Sequence, residues 1–355
     1  MRALFVTNDF PPKPGGIQQY LANLVANHPG PVHVLAPRED AAVPEPHISR
    51  GQHRFMWPTP DIRRWVLDEI ERFTPDIVVY GAPHPLALLG PRIAQTTGVP
   101  YAVMTHGAEF LVPNRIPVIR QAVLDPIVRA DVVFAVSDFT RRRVEAAAHR
   151  PVVRLGAGVD LDAFHPPPRL PEQFVIGCVS RFVARKGHER VIDAADRLHQ
   201  GGSAVEVLIV GSGRLERRLR RHAAGAAVPV RFETNVPWER LPELYREMSI
   251  FAMPARTRWA GLEVEGLGIV YLEAAASGLA VIAGRSGGAP ETVVEGRTGW
   301  VAETTDELAA VLQQVYVDGT AATIGAAARV HAEAEFGWDA VIGRWTSALD
   351  NLLAS

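Results

Sequence analysis

Cysteine is nearly absent from these 355 residues: Cys178 is the only one. A disulfide framework is therefore excluded, which fits a reducing compartment. Cys178 lies inside the apolar run Phe174–Val179, so a buried strand thiol is its expected role. Long apolar runs are missing too. No stretch of about 18 apolar residues occurs, so no transmembrane helix is expected. The N-terminal run Met1–Thr7 is too short for a secretory signal and soon meets Asp9. The expectation is a cytoplasmic protein, soluble or peripheral at the inner face of a membrane. Nor does charge of one sign dominate: 37 Lys and Arg stand against 39 Asp and Glu, a net charge of −2. Without a basic excess, no nucleic-acid partner is expected. A Walker lysine motif and a His/Cys cluster at zinc spacing are both lacking. Gly211-Ser212-Gly213 follows an apolar run, but the third glycine of a dinucleotide fingerprint would fall at position 216, which is Glu216. Nicotinamide and flavin cofactors are therefore not expected.

What is present is a repeated alternation of short apolar runs and helical patterns. Runs at 3–7, 32–36, 77–80, 101–104 and 132–136 read as buried strands, with helices at 17–27, 63–73 and 85–97 between them. The pattern restarts with strands at 174–180, 205–210, 230–232, 250–253 and 281–283, and helices at 188–199, 214–224, 241–247 and 269–277. Such alternation implies α/β architecture with parallel sheets. A chain of this length exceeds what one core usually supports. The segment Leu155-Gly156-Ala157-Gly158-Val159-Asp160, followed by Phe164-His165-Pro166-Pro167-Pro168, reads as the joint between two units. The expected organisation is 1–160, 161–335 and a terminal helix, 336–355, that packs back on the first unit. Two such units facing across a cleft would offer one site to two substrates.

The loop Ser180-Arg181-Phe182-Val183-Ala184-Arg185-Lys186-Gly187 delivers cations to the C-terminal edge of a sheet. Arg181 offers a fork for a diphosphate and Lys186 a point charge. A plain solvated loop is the alternative. In the stretch Glu265-Gly266-Leu267-Gly268-Ile269-Val270-Tyr271-Leu272-Glu273, one carboxylate precedes a helix and the other lies inside it. The N–H groups of Gly268, Ile269 and Val270 would face an anion at that helix start. Glu265 would accept sugar hydroxyls, and Glu273 would reach a ribose diol. The alternative is a capping glutamate followed by a surface one. Gly15-Gly16 opens a helix as a second backbone cradle, and His106 follows the strand at 101–104. Asp160 and Asp162 have a metal-binding spacing, yet their place beside prolines reads as a turn held by carboxylates. No metal cofactor is expected, because Arg, Lys and helix N-termini can neutralise phosphate. The clusters Arg141-Arg142-Arg143 and 217–221, with Arg63-Arg64-Trp65, are either solvated faces or contacts to an anionic membrane.

Taken together, these motifs resemble retaining glycosyltransferases of family 4, which have the two-domain GT-B fold. The resemblance covers nearly the whole chain. Within that family the chain is most similar to bacterial GDP-mannose-dependent phosphatidylinositol-mannoside α-mannosyltransferases. The residues behind the narrower likeness are Asn8–Pro12 with Gly15–Gln18, the stretch 252–258, 264–270, and 282–284 with 286–292. The resemblance implies Arg181 and Lys186 on the donor diphosphate, Glu273 on the ribose and Glu265 on the donor sugar. It places His106 and Gly16 near the sugar and phosphates. It further implies a nucleotide-sugar donor, a lipid-linked or glycan acceptor, and same-face attack assisted by the leaving phosphate. Two places depart from the family pattern: the stretch 110–121, and Trp259, where a small residue is expected. Both are candidates for shaping the acceptor site. ADP- or UDP-glucose as donor is the second expectation; an epimerase or a non-catalytic nucleotide-sugar binder is the third.

Overall fold

The computed structural model describes residues 1–13, 15–107, 110, 117–169 and 171–354, and only the backbone of 117–119. The chain divides into two compact units, Met1–Gly158 with Trp338–Ser355, and Val159–Gly337. The first runs β1 (Ala3–Val6), α1 (Gly16–Ala26), β2 (Val32–Ala36), β3 (Ile48–Arg50), α2 (Pro60–Phe73), β4 (Ile77–Tyr80), α3 (Gly90–Thr97), β5 (Tyr101–Thr105), α4 (Pro117–Val128), β6 (Val132–Ala135), α5 (Asp138–Ala148) and β7 (Val153–Arg154). The second runs β8 (Phe174–Val179), α6 (His188–Gln200), β9 (Val205–Val210), α7 (Glu216–Ala223), β10 (Val230–Glu233), α8 (Leu241–Arg246), β11 (Ile250–Met253), α9 (Ile269–Ala276), β12 (Ala280–Ala283), β13 (Gly299–Val301), α10 (Thr305–Asp318) and α11 (Ala321–Phe336).

Each unit is a parallel, Rossmann-like α/β sheet. The strand orders are β3-β2-β1-β4-β5-β6-β7 and β10-β9-β8-β11-β12-β13. Strands β4, β11 and β12 are buried at every residue, as strands covered on both faces must be. The strand order reverses between β1 and β4 in the first sheet, and between β8 and β11 in the second. In such sheets the crevice beyond the C-terminal strand ends at the reversal is where ligands bind.

Helix starts fall into two kinds. Thr59, Ser137 and Thr304 cap α2, α5 and α10 with side-chain oxygens, and Thr304 completes a reciprocal capping box with Glu307. Helices α1, α6 and α9 instead open on Gly15, Gly187 and Gly268, with no side-chain cap. Their first N–H groups are left for another acceptor.

The single helix expected over 85–97 is two pieces, a 3-10 turn at Leu86–Leu89 and then α3. Pro91 has no N–H to continue the ladder from the preceding turn. At the joint, the Asp160 carboxylate accepts from the N–H groups of Asp162 (3.1 Å) and Ala163 (2.9 Å), so it holds a turn. The last helix, α12 (Trp338–Leu353), belongs to the first unit. Its Trp345 is fully buried, 4.8 Å from the Phe134 ring, and donates through Nε1 to His28 Nδ1 at 3.1 Å.

Candidate functional site

In the second unit, the two loops beside the strand reversal carry the charged residues. The loop after β8 is anchored by Phe182, which is fully buried and donates its N–H to the Ser212 carbonyl at 2.8 Å. Gly211 has φ +136, and a Cβ there would lie 2.1 Å from the Ser180 carbonyl oxygen. The Gly211-Ser212-Gly213 motif therefore serves close packing beneath the cationic loop. His188 shares a hydrogen bond with Ser180 Oγ at 2.9 Å. Burial, helped by the Lys186 charge, pushes its pKa down to about 4, so the ring adds no charge at neutral pH.

The cationic loop is not a solvated one. Lys186 Nζ lies 2.8 Å from Glu265 Oε2, with both side chains less than a tenth exposed. Arg185 grips the same oxygen through Nη1. Burial alone would raise the Glu265 pKa, but Lys186 and then Arg185 outweigh it and hold the carboxyl below its usual range. Burial lowers the Lys186 pKa, and Glu265 works against that shift. Arg181 is exposed, and its charge also reaches Lys186. The Glu265 carboxylate is thus matched by two largely buried cations, with the exposed Arg181 adding a third positive charge at the rim, so the cluster carries a surplus of positive charge. Such a surplus suits a polyanion.

Backbone contacts fix Glu265 from two sides. Arg256 N–H donates to the Arg185 carbonyl at 2.8 Å, which ties the loop after β11 to the loop after β8. Glu265 N–H donates to Ser286 Oγ at 3.2 Å, and Gly288 N–H donates to the Glu265 carbonyl at 3.0 Å. Gly287 has φ +58, and a Cβ on it would fall 1.8 Å from that same carbonyl oxygen. Only glycine lets the two backbones approach so closely.

Helix α9 begins immediately beyond. Gly268, at φ +93, starts it without a side-chain cap, so the N–H groups of Ile269 and Val270 are available to an anion. Tyr271, buried in the first turn, donates to the Met253 carbonyl at 2.7 Å and pins the helix start to the end of β11. Glu273 is buried rather than surface-exposed. Its carboxylate accepts from Tyr245 Oη at 2.8 Å. Burial pushes its pKa up to about 7, against the opposing pull of that hydrogen bond.

The first unit presents its own candidates. His106 follows β5 and is buried; its Nε2 donates to the Gly81 carbonyl at 2.9 Å, at the end of β4. A carbonyl only accepts, so Nε2 carries the proton. The ring also meets Tyr20 edge-on at 5.5 Å. Gly16 is the first residue of α1, and the loop before it is braced by Gln18 donating to Asp9 Oδ1 at 2.5 Å. Ala108, Glu109 and positions 111–116 lie outside the described residues.

Three residues of this arrangement were not assigned from the sequence: Arg185, Ser286 and Tyr245. Arg185 had a signal, being the third cation of its loop. Ser286 lay in the stretch 286–292 that carries the family likeness, but Tyr245 had no signal, since only folding brings it against Glu273.

Comparison with known proteins identifies the family. Residues 14–163 match the family described as Glycosyltransferase Family 4, and residues 162–331 match Glycosyl transferases group 1. The GDP-mannose-dependent monoacylated alpha-(1-6)-phosphatidylinositol monomannoside mannosyltransferase of Corynebacterium glutamicum is 37% identical, covering 99% of this chain and 98% of its own. The GDP-mannose-dependent alpha-(1-6)-phosphatidylinositol monomannoside mannosyltransferase of Mycolicibacterium smegmatis is 39% identical, covering 85% of each chain. Among solved structures, Anabaena HepE in complex with UDP aligns with TM-score 0.79 at 20% identity, covering 99% of this chain and all of its own. Sucrose-phosphate synthase from Thermosynechococcus elongatus aligns with TM-score 0.80 at 20% identity, covering 99% of both. The chain, with its two Rossmann-like units, belongs to glycosyltransferase family 4 and is a glycosyltransferase.

Proposed function

We propose that this glycosyltransferase transfers mannose from GDP-mannose, with retention, onto a lipid-linked or glycan acceptor of the phosphatidylinositol-mannoside kind. The observation that carries the proposal is the buried Lys186–Glu265–Arg185 cluster beside the uncapped start of α9. Identity of 36–39% to mannosyltransferases named for GDP-mannose supports the choice of sugar and base.

On this reading, Arg181, Lys186 and the N–H groups of Gly268, Ile269 and Val270 take the donor diphosphate. Glu265 meets the sugar hydroxyls and Glu273 the ribose. His106 and Gly16 are assigned to the donor on the family resemblance alone. The bond between C1 and the β-phosphate oxygen breaks, and the acceptor oxygen bonds to C1 on the same face. The acceptor proton passes to the departing phosphate oxygen. Charge accumulates on that diphosphate, and preorganised cations stabilise it most. These cations also supply the neutralisation a metal would otherwise give, so no metal cofactor is proposed. The catalytic set is Arg181, Lys186, Glu265 and His106. No helix among the described residues is long and apolar enough to cross a membrane, and a peripheral, cytoplasmic-face location is proposed with the lipid acceptor.

GDP-mannose is expected to raise the melting temperature more than UDP- or ADP-glucose. Phosphatidylinositol mannoside is expected to gain one α-linked hexose, read by mass spectrometry and NMR. Lys186→Ala is expected to cut turnover about 100-fold at saturating substrates. A stronger shift with UDP-glucose, or an unchanged rate in Lys186→Ala, would overturn the assignment.

A further inference from the structure

Trp259 is exposed at 65% of its surface, in the loop that leads to Glu265. Both Trp259 (φ 49) and Ala260 (φ 50) adopt left-handed backbone. Non-glycine residues hold that conformation only where the surroundings impose it, and such strain gathers at functional sites. Here the surroundings do impose it. Arg258 and Glu263 exchange backbone hydrogen bonds of 2.9 and 3.2 Å, and their side chains form an ion pair at 3.0 Å. The Arg258 guanidinium lies over the indole, 5.1 Å from the ring centroid, backing one face. Even with that contact, the indole remains largely open to solvent.

The loop is also linked to the charged cluster. Thr257 Oγ1 shares a hydrogen bond of 3.1 Å with Ser286 Oγ, the same oxygen that accepts from Glu265 N–H. The structure thus holds an unburied indole on strained backbone, in a loop whose Thr257 is joined through Ser286 to the backbone N–H of Glu265, the residue assigned to the donor sugar. Water gains nothing from such a placement. A ligand with a flat apolar face does, and a pyranose has one in its row of axial C–H groups.

We propose that Trp259 is the stacking platform for the sugar ring of the acceptor, and so a determinant of acceptor specificity. The inference deepens the proposed function and rests on its assignment of Glu265. On a mannopyranose the apolar face is the one that carries the axial H3 and H5, opposite the axial 2-hydroxyl, so an epimer with an axial 3-hydroxyl on that face binds less well.

The test uses methyl α-D-mannopyranoside as probe, with saturating GDP and the full chain. Saturation-transfer NMR is expected to show contact on the ring C–H protons in the wild type. Trp259→Ala is expected to weaken probe affinity about tenfold, and Trp259→Tyr to stay within about threefold. GDP affinity by calorimetry, and melting temperature, are expected to match in all three proteins. Equal probe affinity in Trp259→Ala, or no probe binding in the wild type, would overturn the platform. A loss of GDP affinity confined to Trp259→Ala would also overturn it, showing the loop to serve the donor. Failure of the mannosyl-donor reading shows separately, as wild-type preference for UDP or ADP over GDP.

Discussion

Glu265 and Glu273 lie eight residues apart on one segment, yet their surroundings separate them chemically. Glu265 is buried with two cations on one oxygen and stays ionised. Glu273 is buried with only a tyrosine hydroxyl, and its pKa rises to about 7. Below about pH 4.5 the Glu273 carboxyl is protonated in both folded and unfolded chains and costs nothing. Between there and about pH 7 the unfolded chain ionises first, so folding loses stability as pH rises. The loss amounts to about 3 kcal/mol at most. Glu273→Gln removes that titration. Its stability relative to wild type is therefore expected to increase between pH 5 and pH 8, read by urea unfolding at each pH. A difference that stays constant with pH would contradict the buried, neutral-leaning carboxyl. Spacing suggested both glutamates; it carried no information on which one finds cations, because Lys186 and Arg185 come from a loop some 80 positions away in sequence.

At the scale of elements, the site depends on three loops that follow parallel strands and on the glycines that let them touch. Gly287→Ala keeps a backbone angle that alanine tolerates at a cost of about 1–2 kcal/mol. Its methyl, however, meets the Glu265 carbonyl at 1.8 Å, so the loop must move. Turnover is expected to fall at least tenfold, while the protein remains folded by circular dichroism. Full activity would show that the Ser286–Gly288 loop does not position Glu265. Three arginines of the basic clusters have local carboxylate partners. Arg141 bonds Asp138 and Glu145, Arg218 bonds Glu189, and Arg220 bonds Glu216, so the charge of these three is answered within or next to their own helix. Strands that were legible in the sequence are mostly central ones, where burial on both faces leaves a continuous apolar run. The unread strands β3, β7 and β13 are all sheet edges, two or three residues long and only partly buried. Helices α10 and α11 were not read either. In α11 the apolar positions are diluted by alanines, so the amphipathic period is weak.

For the whole molecule, the notable fact is that the last helix belongs to the first unit. Trp345 packs against Phe5 and Phe134 and donates to His28, all three from the opening 135 residues. Trp345→Ala is expected to cost about 3–5 kcal/mol. The loss should fall on the unfolding transition of the first unit. A shift confined to the transition of Val159–Gly337 would contradict the division of the chain.

The sequence by itself determined the α/β class, the two-unit organisation and most central strands, because hydrophobic periodicity and a Gly- and Pro-rich joint are local signals. It also identified the charged loop and the glutamate-bearing helix start, because glycine placement and charge at strand ends are local too. Only the tertiary structure decided what those residues do to one another. The Lys186–Glu265–Arg185 cluster, the Tyr245–Glu273 pair and the strained presentation of Trp259 each depend on how segments fold together. Charge neutralisation, desolvation and imposed backbone strain arise from neighbours in space, which no spacing along the chain encodes.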